Sequence, residues 1–285
     1  MKPIVIPESY NYIAVFLIFA CNLRCSFCIN DFNKMTRGIK RKLLSGKEWV
    51  KGLNRIISSL DLPVTLQGGE PTLHKDFAYI VNNIKPELNI DVLTNLQDEK
   101  IFIDSINPDR IKRDAPYASV RVSYHPEQAQ LDNLVEKVLN LQNSGFSVGI
   151  WGVMHPNQKK EIKVAQKICK DKGIDFRTKE FLGEHNGKLY GKYSYPEAIL
   201  KKGKKSVLCK TTELIIGPTG DVYRCTADVY ENRESVGHIL DSDFQIEDKF
   251  RQCEWFGHCN PCDIKVKTNR FQQFGHSSVE IKFQS

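Results

Sequence analysis

At 285 residues and 41% hydrophobic content, the chain can bury one large core with a small appendage and does not read as a disordered polymer. Its formal charge of +7, from 41 basic and 34 acidic side chains, suits an anionic partner, yet apart from Lys201, Lys202, Lys204 and Lys205 the basic residues are scattered, so solvated lysines explain it without nucleic acid. The start lacks the basic and apolar regions of a secretory signal, so the nine cysteines are expected in a reducing cytoplasm; the longest apolar run, 13–20, falls far short of the ~20 residues that span a bilayer, so no membrane partner is expected.

From residue 12 to about 181, apolar strand-like runs alternate with amphipathic helical patterns, as in repeated βα units around a parallel sheet. Strands are predicted at 13–19, 64–67, 90–94, 119–124, 148–153 and 175–181, and helices at 46–60, 75–84, 131–144 and 158–172. Six such units suit an open, partial barrel better than a closed one with eight. The stretch 185–205, rich in Gly, Lys and Tyr and containing Pro196, reads as a connection, which places a domain boundary near 184 and predicts domains 1–184 and 185–285. Beyond it, 214–216 and 222–224 flank the turn Gly217-Pro218-Thr219-Gly220 as a β-hairpin in a small cysteine-rich unit.

Cys21, Cys25 and Cys28 follow directly on the first strand, and thiolates at this spacing can occupy three corners of a cubane, leaving one iron open for an exchangeable ligand. A zinc loop or three unrelated thiols is the plain alternative. Gln67-Gly68-Gly69-Glu70-Pro71-Thr72 ends the second strand, where glycines permit close approach of backbone to a ligand.

Through this CxxxCxxC loop and the GGEP segment, the sequence resembles the radical S-adenosylmethionine superfamily over about 12–181. The resemblance implies a partial (β/α)6 barrel, a 4Fe-4S cluster on Cys21, Cys25 and Cys28, and S-adenosylmethionine as source of a 5′-deoxyadenosyl radical. It implies Gly68, Gly69 and Glu70 around the methionine amino group and Thr94 and Asn95 near the ribose, although the latter pair also reads as an ordinary strand end with a capped turn. Arg121 and Ser123 alternate on the fourth strand and share a face, making a contact to the methionine carboxylate plausible for Arg121, with a salt bridge as the alternative. Side chains at the carboxyl ends of barrel strands surround the reaction site, which nominates Tyr124, His125, Trp151, His155, Arg177 and Glu180 as substrate neighbours or catalytic groups.

Five cysteines follow the boundary. Cys209 and Cys225 bracket the hairpin and Cys259 and Cys262 form a CxxC pair, so these four can make one site for zinc or an iron–sulfur cluster. The arrangement resembles the twitch domain, a shortened SPASM domain, which implies an auxiliary 4Fe-4S cluster on Cys209, Cys225, Cys259 and Cys262. Cys253 is then the fifth thiol, either a replacement ligand or a free hydrogen-atom donor of the kind found in radical peptide epimerases. Cys169, in a helical pattern, reads as a small buried hydrophobe.

The expected activity is that of a radical oxidoreductase or related modifying enzyme, taking a hydrogen atom from a peptide or small metabolite for oxidation, epimerisation or cross-linking. A reductase such as flavodoxin or ferredoxin is expected as electron donor. Modification of a nucleotide or RNA base is the second enzymatic reading, and a cluster-bearing scaffold or electron carrier the reading from another class.

Overall fold

The computed structural model describes residues 1–29 and 42–283. Its centre is a run of parallel strands, β1 (Tyr12–Ile18), β2 (Val64–Gly68), β3 (Ile90–Thr94), β4 (Val120–Tyr124), β5 (Val148–Met154) and β6 (Phe176–Glu180), hydrogen bonded in chain order. Strands covered on both faces need continuous apolar runs, and β1, YIAVFLI, is buried at all five central positions. The sheet is open, with β6 at one edge, as expected of a partial barrel.

Helices α1 (Gly46–Leu53), α2 (Phe77–Asn83), α3 (Lys100–Ser105), α4 (Leu131–Asn143) and α5 (Lys159–Asp171) lie between the strands in sequence. Ser45 and Glu48 form a reciprocal capping box that starts α1, whereas the chain leaves the helix at Asn54 and pairs Ile56–Ile57 with Ile4–Val5; the helix expected over 46–60 is therefore shorter. In α5, Ile162, Ala165 and Cys169 are buried at spacings of three and four, and Cys169 is a fully buried core residue.

The remainder of the chain does not stand apart from the barrel sheet. Strand β7 (Lys205–Thr211) leads into β8 (Glu213–Ile216), which pairs in parallel with β1, Glu213 opposite Tyr12 and Ile216 opposite Val15. Strands β9 (Asp221–Tyr223) and β10 (Gly237–His238) then extend the sheet, so the hairpin legible at 214–224 continues the barrel's own edge. Leu214, Ile216, Val222 and Ile239 accordingly share the main apolar core. A separate three-stranded sheet places β7 between β11 (Arg251–Phe256) and β12 (Val279–Lys282) around a small core that includes Val207, Cys253, Phe256 and Ile281. Two short helices, α6 (Thr226–Tyr230) and α7 (Pro261–Ile264), complete this region, and the Asp263 carboxylate accepts the Thr226 and Ala227 N–H groups at 2.8 and 3.0 Å at the start of α6.

Inside the sheet lies a buried ion cluster. Asp91 of β3 is fully buried and meets Arg270 at 2.5 Å, Arg113 at 3.2 Å and Arg121 at 3.3 Å. Arg270 also donates to Thr65 at 2.9 Å and lies 4.5 Å from the centre of the Tyr12 ring, so the C-terminal segment is anchored within the first three strands. Among the described residues no helix is long and apolar enough to cross a membrane.

Removing the carboxylate leaves three arginines around a hole. Asp91→Ala is expected to cost about 3–5 kcal/mol, the usual penalty for breaking a buried charge cluster from one side. Thermal or denaturant unfolding checks this, and a loss below about 1 kcal/mol would show that the arginines do not depend on it.

Candidate functional site

The loop that carries Cys21, Cys25 and Cys28 is held from two sides. On one side the Gly69 and Glu70 N–H groups donate to the carbonyls of Ile18 and Ala20, each at 2.9 Å. A Cβ on Gly68, at φ +151°, would stand 2.1 Å from the Ile18 oxygen, and one on Gly69 would stand 2.2 Å from the Ala20 oxygen. The glycines are thus demanded by approach of chain to chain, and both also line the cavity described next. On the other side the Ser26 N–H and hydroxyl donate to Glu127 at 2.7 and 2.8 Å, and the Arg24 N–H donates to Gln128 at 3.2 Å. Phe27 stacks on His155 at 5.0 Å and packs against His125 at 5.6 Å. Glu127 and Gln128 were not singled out in the sequence; their only signal is their position just after β4.

All three thiols line a cavity of about 920 Å³, at the upper end of the ~300–1,000 Å³ usual for small-molecule sites. Burial pushes the Cys25 thiol up to about 12 and Cys21 upward as well, with the neighbouring thiols adding to both shifts. Thiols crowded in this way become ligands once a cationic metal centre offsets their mutual repulsion. The set of three soft donors beside an open cavity fits an iron–sulfur cluster with one free corner.

Glu70 is 1% exposed, and its largest electrostatic influence is burial, which raises its carboxyl. Opposing that, Oε1 accepts from Thr72 Oγ1 at 2.8 Å and Thr94 Oγ1 at 2.7 Å, and Oε2 from the Asn95 N–H at 2.7 Å. Thr94 and Asn95 therefore brace Glu70, and the Asn95 amide reaches Asn22 in the cysteine loop at 2.7 Å. Oε2 keeps one lone-pair direction for a ligand's ammonium.

Arg121 and Ser123 line the cavity, as their shared face requires. Arg121 Nε and Nη2 are buried without a hydrogen-bond partner among the described residues, although Nη2 lies near Asp91. Tyr124 does not reach the cavity: alternation turns it with Val120 and Val122 toward the apolar core, where its ring meets Phe176. His155 is also absent from the lining, because its ring caps the turn beginning at Pro156, accepting the Asn157 N–H at 3.3 Å, and stacks under Phe27. Arg177, His125, Trp151 and Glu180 line the cavity, with Arg177 paired to Asp175 at 2.8 Å. Burial holds His125 down to about 4, so it is neutral near pH 7.

The second group of cysteines assembles differently from the expected set. Cys209, Cys225, Cys253 and Cys259 line one small cavity of about 30 Å³ with Asp228, Arg224 and Arg233. The Cys209 thiol donates to Cys253, which lowers Cys253 and raises Cys209 relative to an ordinary thiol. Cys253 is thus not free: it sits on β11 opposite Val207 and packs in the small core with Cys209, Cys225 and Cys259. Cys262 instead lines the large cavity with Cys21, Cys25 and Cys28, because the first turn of α7 carries it to the other face from Cys259. With the Asp228 carboxylate taken up by Arg224 and Arg233, the four thiols are a donor set that matches zinc or an iron–sulfur cluster. Among the described residues no three His, Cys, Asp or Glu side chains are arranged around a single metal ion.

A family model described as the Radical SAM superfamily matches residues 15–123. GTP 3′,8-cyclase of Aquifex aeolicus (strain VF5) is 27% identical over 202 residues, 65% of this chain and 61% of that protein. GTP 3′,8-cyclase of Campylobacter fetus subsp. fetus (strain 82-40) is 25% identical over 186 residues, 60% of this chain and 56% of that protein. The chain thus spans less than two thirds of these relatives. Among solved structures, Streptococcus suis SuiB bound to S-adenosylmethionine aligns with a TM-score of 0.54 at 16% identity, covering 85% of this chain and 64% of that one. Native anSMEcpe with bound AdoMet and Cp18Cys peptide aligns with a TM-score of 0.53 at 16% identity, covering 98% and 92%. These two likenesses concern the fold.

The cysteine placement has a measurable outcome. In protein reconstituted anaerobically with iron and sulfide, Cys253→Ala is expected to lower the iron content retained after Cys21, Cys25 and Cys28 are all changed to Ala, while Cys262→Ala in that background keeps it. Equal iron in both variants, or a loss confined to Cys262→Ala, would refute the grouping; zinc in place of iron would identify a zinc site.

Proposed function

We propose that the chain, which a Radical SAM superfamily model matches over residues 15–123, is a radical S-adenosylmethionine enzyme taking a hydrogen atom from a small-metabolite or peptide substrate, for oxidation, epimerisation or cross-linking in a biosynthetic pathway. The observation that carries this reading is one cavity lined together by the three thiols of the 21–28 loop, the Gly68–Glu70 turn and the inner side chains of β3 to β6. When bound, the cluster and S-adenosylmethionine supply a primary carbon radical able to remove an unactivated hydrogen.

The protein's own contribution is position and exclusion of water. Glu70 Oε2 offers a fixed, buried acceptor for the methionine ammonium, held by Thr72, Thr94 and Asn95. Arg121 and Ser123 offer donors on the same inner face. Trp151, Phe181 and Leu182 give the cavity apolar wall, and neutral His125 next to Phe27 adds a polar group without a charge. An external one-electron donor of the flavodoxin or ferredoxin kind completes the reading, and the four-thiol group offers a site for an auxiliary cluster.

Modification of a nucleotide is the second reading. It is favoured by the resemblance to GTP 3′,8-cyclases and by the number of basic groups in the cavity, Arg121, Arg177, Lys179, Lys192, Lys265, Lys267 and Arg270.

Anaerobic, reconstituted protein given dithionite and S-adenosylmethionine is expected to release 5′-deoxyadenosine slowly even without substrate. Glu70→Gln is expected to weaken S-adenosylmethionine binding by about tenfold or more, the equivalent of one charge-assisted contact. If fully reconstituted wild-type protein yields no 5′-deoxyadenosine, the electron-carrier reading replaces the enzymatic one.

A further inference from the structure

The charges lining the large cavity are unevenly matched. Lys267 is neutralised by Glu213, which also accepts from Ser278 at 2.6 Å, and Arg270 is neutralised by Asp91. Glu70 is engaged with Thr72, Thr94 and Asn95, so it offers little to a lysine. Lys179, Lys192 and Lys265 remain in the lining, none with an ion pair or side-chain hydrogen bond among the described residues, and of these Lys192 lies over the Phe274 ring, 5.3 Å from its centre. Glu180 is the next residue along β6, is exposed, and makes no ion pair with Lys179. Beside Lys179 and Lys265 lies Arg121, whose buried Nε has no hydrogen-bond partner among the described residues and whose Nη2 is 3.3 Å from Asp91.

Strand geometry explains the gathering. Phe176 of β6 turns into the apolar layer, so Arg177 and Lys179 turn to the inner face, as Arg121 and Ser123 do on β4. Lys265 arrives from the C-terminal segment, placed by the pairing of its backbone with Tyr193. Like charges drawn into a partly closed cavity repel and lose hydration, a cost that an anion in their midst removes.

We propose that Lys179 and Lys265, with the Nε of Arg121, form a subsite for an oxyanion carried by the substrate, a phosphate or a carboxylate group. The inference rests on the reading of this cavity as the active site and narrows its substrate to an anionic one. Burial first, and then the positive charges of Arg121, Lys265 and Arg270, hold Lys179 down to about 7, and an anion bound between them would raise it. The subsite also separates two uses of positive charge in one cavity: Lys267 and Arg270 hold the C-terminal segment in place, while Lys179 and Lys265 are left for a ligand. The competing source of an oxyanion is the carboxylate of S-adenosylmethionine itself.

Calorimetric titration of inorganic pyrophosphate into the reconstituted full chain tests this, with S-adenosylmethionine titrated separately. Lys179→Met and Lys265→Met are each expected to weaken pyrophosphate binding about tenfold or more, Lys179→Arg to restore most of it, and Lys163→Met, exposed on α5, to leave it unchanged. The dissociation constant for S-adenosylmethionine is expected to stay within about twofold in both Met variants. Absent pyrophosphate binding by wild type, or binding equal in all variants, would overturn the subsite. Loss of S-adenosylmethionine affinity in step with pyrophosphate would overturn it in favour of the cofactor's carboxylate. Failure to form 5′-deoxyadenosine would instead remove the enzymatic reading while leaving the anion-binding result standing.

Discussion

The site depends on one close approach of backbone to backbone. Gly68 and Gly69 lie against residues 18–20 at a distance no side chain tolerates, and the Gly69 and Glu70 N–H groups bond to that stretch. The end of β1 and the end of β2 are thereby welded together, so the thiol loop and the Glu70 carboxylate share a frame. From Glu70 the frame passes to Thr94 and Asn95 on β3, and through Asn95 back to Asn22. Five hydrogen bonds thus tie three strand ends to one loop, and preorganisation of this kind is what lets a cavity hold a reactive species without rearranging.

The same sheet has a polar lower layer. Thr65, Asp91, Arg121 and the Tyr12 ring face Arg270, a residue from the far end of the chain. Burial makes such a group expensive unless each charge finds a partner, and Asp91 meets three. The arrangement specifies where the C-terminal segment lies more than it adds to stability, and it lets that segment bring Cys262, Lys265 and Lys267 into the cavity wall.

Much of this was legible in the sequence because strands buried on both faces are written as uninterrupted apolar runs. All six barrel strands fall within a residue or two of the positions read from those runs, and α4 and α5 follow from their three- and four-residue spacing. The alternation that placed Arg121 and Ser123 inward also turned Tyr124 outward, so that signal was present and simply points away from the cavity. Other features depend on contacts between distant segments that no local pattern encodes: the addition of β8 to β1, the bond between the thiol loop and Glu127, and the choice of Cys253 over Cys262 beside Cys209. Spacing identified the CxxC pair, but Cys259 precedes α7 and Cys262 lies in its first turn, so the two thiols line different cavities.

The parallel pairing of β8 with β1 relieves the intervening chain of an orienting task. The segment between β6 and β7 contains a short hairpin and one turn, and many of its residues are exposed. Since the region bearing Cys209 and Cys225 is fixed by the sheet and Tyr193 and Ala198 are held on the small core, the exposed stretches 186–189 and 201–204 are where length enters only through loop-closure entropy, which grows by roughly 0.6 kcal/mol per doubling. Insertions of a dozen residues there would be cheap, and this makes those stretches the natural place for the chain to acquire a new substrate-gripping element without retuning either cysteine group.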